Sequence, residues 1–360
     1  MITVRRARLQ NVRCHETFQI DFGPKVTLVV GGNGAGKSSV LEGIHLGLRG
    51  TSPRTASPRE MIRRGREFLR VELELDLRNG EDESPRVIQA SAALDIHGEK
   101  RATADGASLA DFQRWEEMVP LRSFFPDSLR LIKGSPVRRR RWMDEMISNQ
   151  LPAYAGAARN YQEALAQRNH LLRQGVVGWE QGPWETILAR EGLVLARARE
   201  RSLAVFAPLF AATLSRVGAG AVEVATLTYR TNTAGLEEGS YRERLAELRE
   251  DDRRRGFTHL GPHRDDMRIG IRGIDVRESG SQGEQRTVLL ALLLAERESV
   301  ARSAGVVPLL LLDDVMSELD GSRRRALVSM LLEAGQSVVT ATDTHHFTSD
   351  ELEAMHVVSL

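Results

Sequence analysis

Cysteine is nearly missing from this sequence: Cys14 stands alone in 360 residues. No intrachain disulfide can form, and a reducing compartment is expected. Lysine is almost as scarce. Lys25, Lys37, Lys100 and Lys133 are the whole set, and every other basic residue is arginine. Aromatic residues make up 5% of the chain, too few for an evident base-stacking platform. Neither sign of charge dominates. With a formal net charge of +1, any grip on nucleic acid must come from local patches. Long apolar runs are absent as well. The longest, residues 288–295, falls far short of the ~20 residues that span a bilayer. The opening MITVRRARLQ carries no apolar signal core, so a cytoplasmic protein without a membrane partner is expected. There are no internal repeats and no low-complexity tracts.

What is present suits a soluble protein with a sizeable core: 41% hydrophobic and 28% charged residues. The length suggests two or three domains at roughly 100–200 residues each. Residues 1–115 read mainly as strand. Positions 26–30 are apolar and run into glycines. Leu69, Val71, Leu73, Leu75 and Leu77 alternate with charges, and 87–96 looks like a hairpin partner across the turn-rich 79–85. Residues 116–254 change texture. Tyr154, Ala157, Tyr161, Leu165 and Leu172 follow helical spacing, as does the stretch from Ile187 to Leu214, with a turn-rich break at 173–183. Short strands are expected near 222–230. Beyond 257 come an apolar helix (286–298), an apolar strand (306–312), a helix (321–334) and a strand (337–342). The expected fold is α/β: a head with a mixed or mostly parallel sheet built from 1–115 and 255–360. A mainly helical arm, 116–254, is inserted without a long coiled coil.

The strongest local signal is G-x-x-x-x-G-K-S at 31–38, between the strand 26–30 and a helix. Gly31, Gly32, Asn33, Gly34, Ala35 and Gly36 allow a tight turn whose N–H groups point inward. The helix that begins near Lys37 adds its N-terminal dipole. Lys37 is expected to reach the β- and γ-phosphates, Ser38 to ligate Mg²⁺, and Ser39 to complete the cradle.

The apolar strand 306–312 ends in Asp313 and Asp314. Acids at the C-terminal end of a buried strand sit where ligands bind in such sheets. Asp313 is the expected Mg²⁺ partner, and Asp314 the expected base or water-orienting residue. The alternative is a helix N-cap, although Asp320 and Ser322 are better placed for that. Ser281, Gly283 and Glu284 precede the long helix. Ser281 and Glu284 have capping-box spacing, and a Ser/Gly helix start is also a second anion site. One chain already has its own phosphate helix, so this one suits a second subunit.

The order of these elements resembles the ABC-type ATPases. It runs from the phosphate loop to S-x-G-x-Q (Ser281, Gly283, Gln285), then to a strand ending in Asp-Asp, then to S-E-L-D at 317–320. That resemblance implies ATP and Mg²⁺ as cofactors, with Lys37, Asp314 and Ser281 in catalytic roles across an ATP-dependent homodimer. A transporter cassette is one alternative, but its phosphate loop and signature lie much closer together. The opening LQNVRCHE and the 31–38 loop resemble the SMC-like repair ATPases instead. I-K-G-S-P at 132–136 with R-R-R-W-M-D at 139–144, and G-P-H-R-D-D at 261–266, resemble the short-armed RecF family over nearly the whole chain. This resemblance implies recombinational DNA repair, with links to replication and the SOS response. It further implies binding to double-stranded DNA beside single-strand gaps, and RecO- and RecR-type mediator proteins as partners in loading recombinase. Asp314 stands where transporters carry glutamate. Thr342, Asp343 or His345 stands near the place of their switch histidine. Slow hydrolysis, or a non-catalytic nucleotide-gated scaffold, follows from those departures.

Arginine runs offer sites for DNA phosphates: Arg63, Arg64 and Arg66 in one, Arg139 and Arg140 in another. A solvated helix face with the i,i+4 pairs Arg140–Asp144 and Arg141–Glu145 is the competing reading of the second run. His263, Asp265 and Asp266 have turn spacing rather than a metal-ligand fork. Cys14 is expected to be a small buried residue.

Overall fold

The computed structural model describes residues 2–77, 86–109, 118–148, 151–176, 178–218 and 224–360. The expected turn at 79–85 and the expected domain border at 115/116 lie outside them. Backbone contacts divide the chain into two compact units. The first holds Met1–Leu129, Ser215–Ala221 and Arg286–Leu360; the second holds Arg130–Leu214 and Val222–Gln285.

The first unit contains two sheets. β1 (Ile2–Val12), β2 (His15–Asp21), β4 (Phe68–Leu77), β5 (Arg86–Asp95), β6 (Lys100–Ala104) and β7 (Ala107–Leu109) form an antiparallel sheet in the order β2-β1-β4-β5-β6-β7. Leu69, Val71, Leu73 and Leu75 of β4 alternate with charges, and all four are buried. The second sheet is wholly parallel. It comprises β3 (Val26–Val30), β8 (Leu121–Phe124), β12 (Leu309–Leu312), β13 (Ser337–Ala341) and β14 (His356–Ser359), ordered β14-β3-β13-β12-β8. Its central strands are mostly apolar and buried along nearly their whole length because both faces are covered. Parallel pairing is therefore confined to this layer, and the first strands of the chain build a layer of their own.

The helix α1 (Lys37–Arg49) shares one core with both sheets: Val40, Leu41 and Ile44 pack with Leu9, Leu73, Leu309 and Val338. Gly43 and Gly47 permit this approach. A Cβ on Gly43 would come within 2.5 Å of Leu9, and one on Gly47 within 2.8 Å of Leu73. Position 37 is thereby fixed over the ends of the parallel strands.

The second unit carries α2 (Pro136–Ser148), α3 (Pro152–Arg173) and most of α4 (Gly182–Val217). It also carries β9 (Ala225–Arg230), α5 (Glu238–Glu247), α6 (Arg249–Arg255), β10 (Asp266–Ile271) and β11 (Ile274–Asp275). The expected boundary at 255 does not follow this division. β10 pairs antiparallel with β9, which draws residues 255–285 into the second unit with the helices. At its centre Arg168, with no exposed side-chain surface, donates to Asp252 (2.6 Å), Thr258 (2.8 Å), Glu185 (3.3 Å) and the Leu245 carbonyl (2.9 Å). The 261–266 stretch is a second knot. Arg199 donates to the Pro262 carbonyl (2.7 Å) and to Asp144 (2.9 Å), and His263 Nδ1 meets the Tyr161 hydroxyl at 2.6 Å. Burial lowers the His263 pKa to about 4, so its ring is neutral at pH 7. Among the described residues no helix is long and apolar enough to cross a membrane.

Candidate nucleotide site

The loop 31–36 leaves β3 and ends at Gly36, which caps α1 in the left-handed region with φ 99°. Any side chain there would strike the His15 ring and come within 2.7 Å of Cys14 Sγ, so glycine is required twice over. Lys37 Nζ arches back over the loop, donating to the carbonyls of Gly31 (2.6 Å) and Gly32 (2.9 Å). Gly31, Gly32, Asn33, Gly34, Ala35, Gly36, Lys37, Ser38 and Ser39 thus form one continuous cradle at the helix N-terminus, an arrangement suited to anions.

One of the two predicted carboxylates, Asp313, meets this cradle. Ser38 Oγ donates to Asp313 Oδ1 at 2.8 Å, across 275 residues of sequence. Thr340 Oγ1, from β13, donates to the same oxygen at 2.9 Å. Asp313 is only 4% exposed, and that burial raises its carboxyl pKa against the pull of the two hydroxyls. Asp314 follows with φ 51°, a left-handed conformation uncommon for a non-glycine residue. Its N–H donates to Thr340 Oγ1 (2.8 Å), while its Oδ1 is buried without a hydrogen-bond partner among the described residues. The acids do not cap the next helix, α8 (Gly321–Glu333), because Asp320 accepts from the N–H groups of Ser322 and Arg323.

Sequence reasoning missed several members of this site. Thr340 sits in a mostly apolar strand, donating to the Asp313 carboxylate and accepting from the Asp314 backbone N–H. Glu42, on α1, has no exposed side-chain surface; it takes both nitrogens of Arg13 (3.0 and 2.8 Å), Ser52 Oγ (2.5 Å) and, more loosely, Arg54 (3.5 Å). The charge of Arg54 also draws the Asp313 pKa downward. A lone acid on the apolar face of LEGIHLGL was the available signal for Glu42.

The signature residues occur where α7 (Gln282–Ala304) begins. Ser281 donates from N (2.8 Å) and Oγ (2.9 Å) to the Glu284 carboxylate, and the Glu284 N–H returns a bond to Ser281 Oγ at 3.2 Å. The capping box is real, and it holds Ser281, Gly283 and Glu284 at a helix N-terminus. All three belong to the second unit and the phosphate loop to the first.

Two expectations fail on burial. Arg139, expected to meet DNA, is 2% exposed; it grips Asp266 with two nitrogens (2.6 and 2.9 Å) and donates to the Ile132 and Gly134 carbonyls. A guanidinium neutralised and enclosed in this way has no reach to a phosphate. Arg140 is half-buried and donates to the Asp265 carbonyl (2.7 Å), not to Asp144, which pairs with Arg199 instead. The Arg141–Glu145 pair does form, at 2.7 Å. Cys14 is the second failure: it is exposed, because the β1–β2 turn lifts it off the core. Arg63, Arg64 and Arg66 keep solvent access, with Arg66 at 2.6 Å and Arg63 at 3.6 Å from the exposed Glu16. After β13, the Asp343 carboxylate takes the Thr342 hydroxyl (3.3 Å) and the His345 N–H (3.0 Å).

A glycine-rich cradle on a parallel sheet, an acid pair at the neighbouring strand end and an antiparallel layer sharing the helix core define the ABC-type ATPase head. The family described as RecF/RecN/SMC N terminal domain matches residues 3–359. The DNA replication and repair protein RecF of Heliobacterium modesticaldum is 35% identical over 361 residues, covering 97% of this chain and 95% of that protein. RecF of Symbiobacterium thermophilum is 34% identical, covering 96% and 92%. The chain belongs to the RecF family. A solved structure of the recombination mediator RecF with ATP, in the RecFOR pathway, matches with TM-score 0.81 at 27% identity, covering 96% of this chain and 94% of that one. The Smc head domain of Pyrococcus furiosus, at 15% identity and TM-score 0.62, shares the fold. These matches place the chain outside the transporter cassettes.

Proposed function

We propose that this protein is an ATP-switched clamp for recombinational DNA repair. ATP bound in the 31–39 cradle of one copy is capped by Ser281, Gly283 and Glu284 of a second copy. The resulting homodimer holds double-stranded DNA beside single-strand gaps in the cytoplasm, where RecO- and RecR-type mediators join it to load recombinase. Hydrolysis is slow and opens the clamp. The observation that carries this reading is the 2.8 Å bond between Ser38 and Asp313, which brings the loop hydroxyl and the strand-end acid to one point.

That donor set also fits Mg²⁺. A hydroxyl and a buried carboxylate are hard oxygen ligands, and the ion takes few protein ligands beside phosphate oxygens. Ser38 and Asp313 would hold it, and when bound it neutralises charge on the β- and γ-phosphates. Lys37 supplies a compact positive charge to the same oxygens. Asp314, next to Asp313 and with a buried oxygen that has no partner among the described residues, is the residue to orient water.

Sedimentation with and without ATP tests the sandwich. Ser281→Arg should keep ATP affinity within about twofold yet stay monomeric, because the added side chain blocks a helix start that has to meet another copy's phosphate. Equal loss of ATP binding and dimer would point to misfolding and count against the reading. The DNA surface has its own check. Arg64→Gln should weaken duplex binding alike for all sequences and lower the salt slope by about one. An unchanged slope removes Arg64 from the interface.

A further inference from the structure

The β1–β2 turn touches two places that the proposed function uses separately. On one side, His15 Nε2 lies 3.1 Å from the carbonyl oxygen of Gly36, the cap of α1. The ring is steadied by stacking on Phe18, with centroids 4.7 Å apart. On the other side, the same turn is laced to the arginine loop 63–66. The Arg63 N–H donates to the Asn11 carbonyl (2.8 Å), and Arg63 Nη1 to the Cys14 carbonyl (2.5 Å). Glu16 holds Arg66 and Arg63 through exposed ion pairs. At the end of β1 and in the turn that follows, Asn11 and Arg13 adopt φ of 55° and 51°. Two left-handed non-glycine residues so close together are uncommon, and such backbone persists only where its surroundings over-determine it.

We infer that this turn is a relay between the arginine loop and the phosphate loop, with His15 as its positioning residue. The inference rests on the proposed reading that the 63–66 loop meets duplex backbone. A phosphodiester entering the loop competes with Glu16 for Arg63 and Arg66. The exchange is cheap, because exposed ion pairs contribute little, while a duplex offers a dense row of phosphates. Losing the Glu16 tether frees the turn, and His15 then changes its hold on Gly36. Linkage makes the effect reciprocal: nucleotide in the cradle alters duplex affinity by the factor with which duplex alters nucleotide affinity.

The test uses the full chain carrying Ser281→Arg, so that dimer formation does not itself couple the two ligands. The Kd for a fluorescent DNA duplex is measured with and without a non-hydrolysable ATP analogue. The nucleotide is expected to change it by about fivefold or more. Adding His15→Phe, which keeps the stack on Phe18 and removes the polar contact, should bring that ratio close to unity. Each ligand alone should still bind within about twofold of the parent, within the modest net effect of one hydrogen bond. His15→Gln, whose amide nitrogen reaches where Nε2 does, should restore the ratio. Glu16→Gln should tighten duplex binding and erase the nucleotide effect. An unchanged ratio in His15→Phe overturns the relay, as does a drop in both separate affinities together with the melting temperature. A parent chain that binds duplex with no nucleotide dependence also overturns it and leaves the DNA reading standing. If neither this chain nor the unsubstituted one binds duplex while both bind nucleotide, the DNA reading itself is defeated.

Discussion

Asp314→Asn is expected to bind ATP normally, to lose about 10²–10⁴-fold in turnover, and to accumulate as a dimer in ATP. The size follows from the role: an amide cannot take a proton or orient water as a carboxylate does. Binding survives because the cradle, Lys37, Ser38 and Asp313 are untouched, and Asn tolerates the left-handed φ of 51° at this position. The Asp314 N–H to Thr340 is main-chain and persists as well. Single-turnover hydrolysis and light scattering read the two halves of the prediction. A variant that stays monomeric in ATP removes either the assigned base or the sandwich. One that turns over at the parental rate makes the protein a nucleotide-gated scaffold in which Asp314 is spectator.

Arg168→Met should cost about 3–5 kcal/mol in stability, the range for breaking a buried ion pair from one side. The loss comes from what remains. Among the described residues, Asp252 is fully buried and would keep the ring nitrogen (2.7 Å) and N–H (3.1 Å) of His259 but no arginine, while Glu185 would keep Arg249. Circular dichroism melts should show a fall of roughly 6–20 °C, at about 2–4 °C per kcal/mol for a unit of this size. Removing the acids as well, with Asp252→Leu and Glu185→Leu, should recover most of that loss, since a matched apolar cluster no longer strands a charge. If Arg168→Met melts like the parent, the carboxylates have found other partners and the knot is not what organises the second unit.

How legible all this was in the sequence depended on the range of the interactions. The phosphate loop was readable because eight consecutive residues encode it, and β4 was readable because alternation is a property of one strand. Asp320 as the α8 cap and the Ser281–Glu284 box were equally local. Arg139 was misread for the opposite reason. Four arginines in a row look solvated, and nothing nearby reveals that Asp266, 127 residues later, encloses one of them. The second unit's border failed in the same way: 255–285 looked like returning head sequence until β10 found β9. Thr340 was hidden because an isolated hydroxyl inside a mostly apolar strand carries no pattern. The order β14-β3-β13-β12-β8 was beyond sequence reasoning too, since each pairing joins distant segments.

That strand order has a consequence for synthesis on the ribosome. β3 emerges early, yet both of its neighbours, β13 and β14, lie at residues 337–341 and 356–359. Every element of the second unit has been translated by Gln285, so that unit can condense first while the nascent phosphate loop still lacks its flanking strands. Nucleotide-binding competence thus waits until β13 and β14 have emerged. Ribosome-stalled chains truncated before Ser337 should expose an unpaired β3 edge, the stage at which chaperone protection matters most.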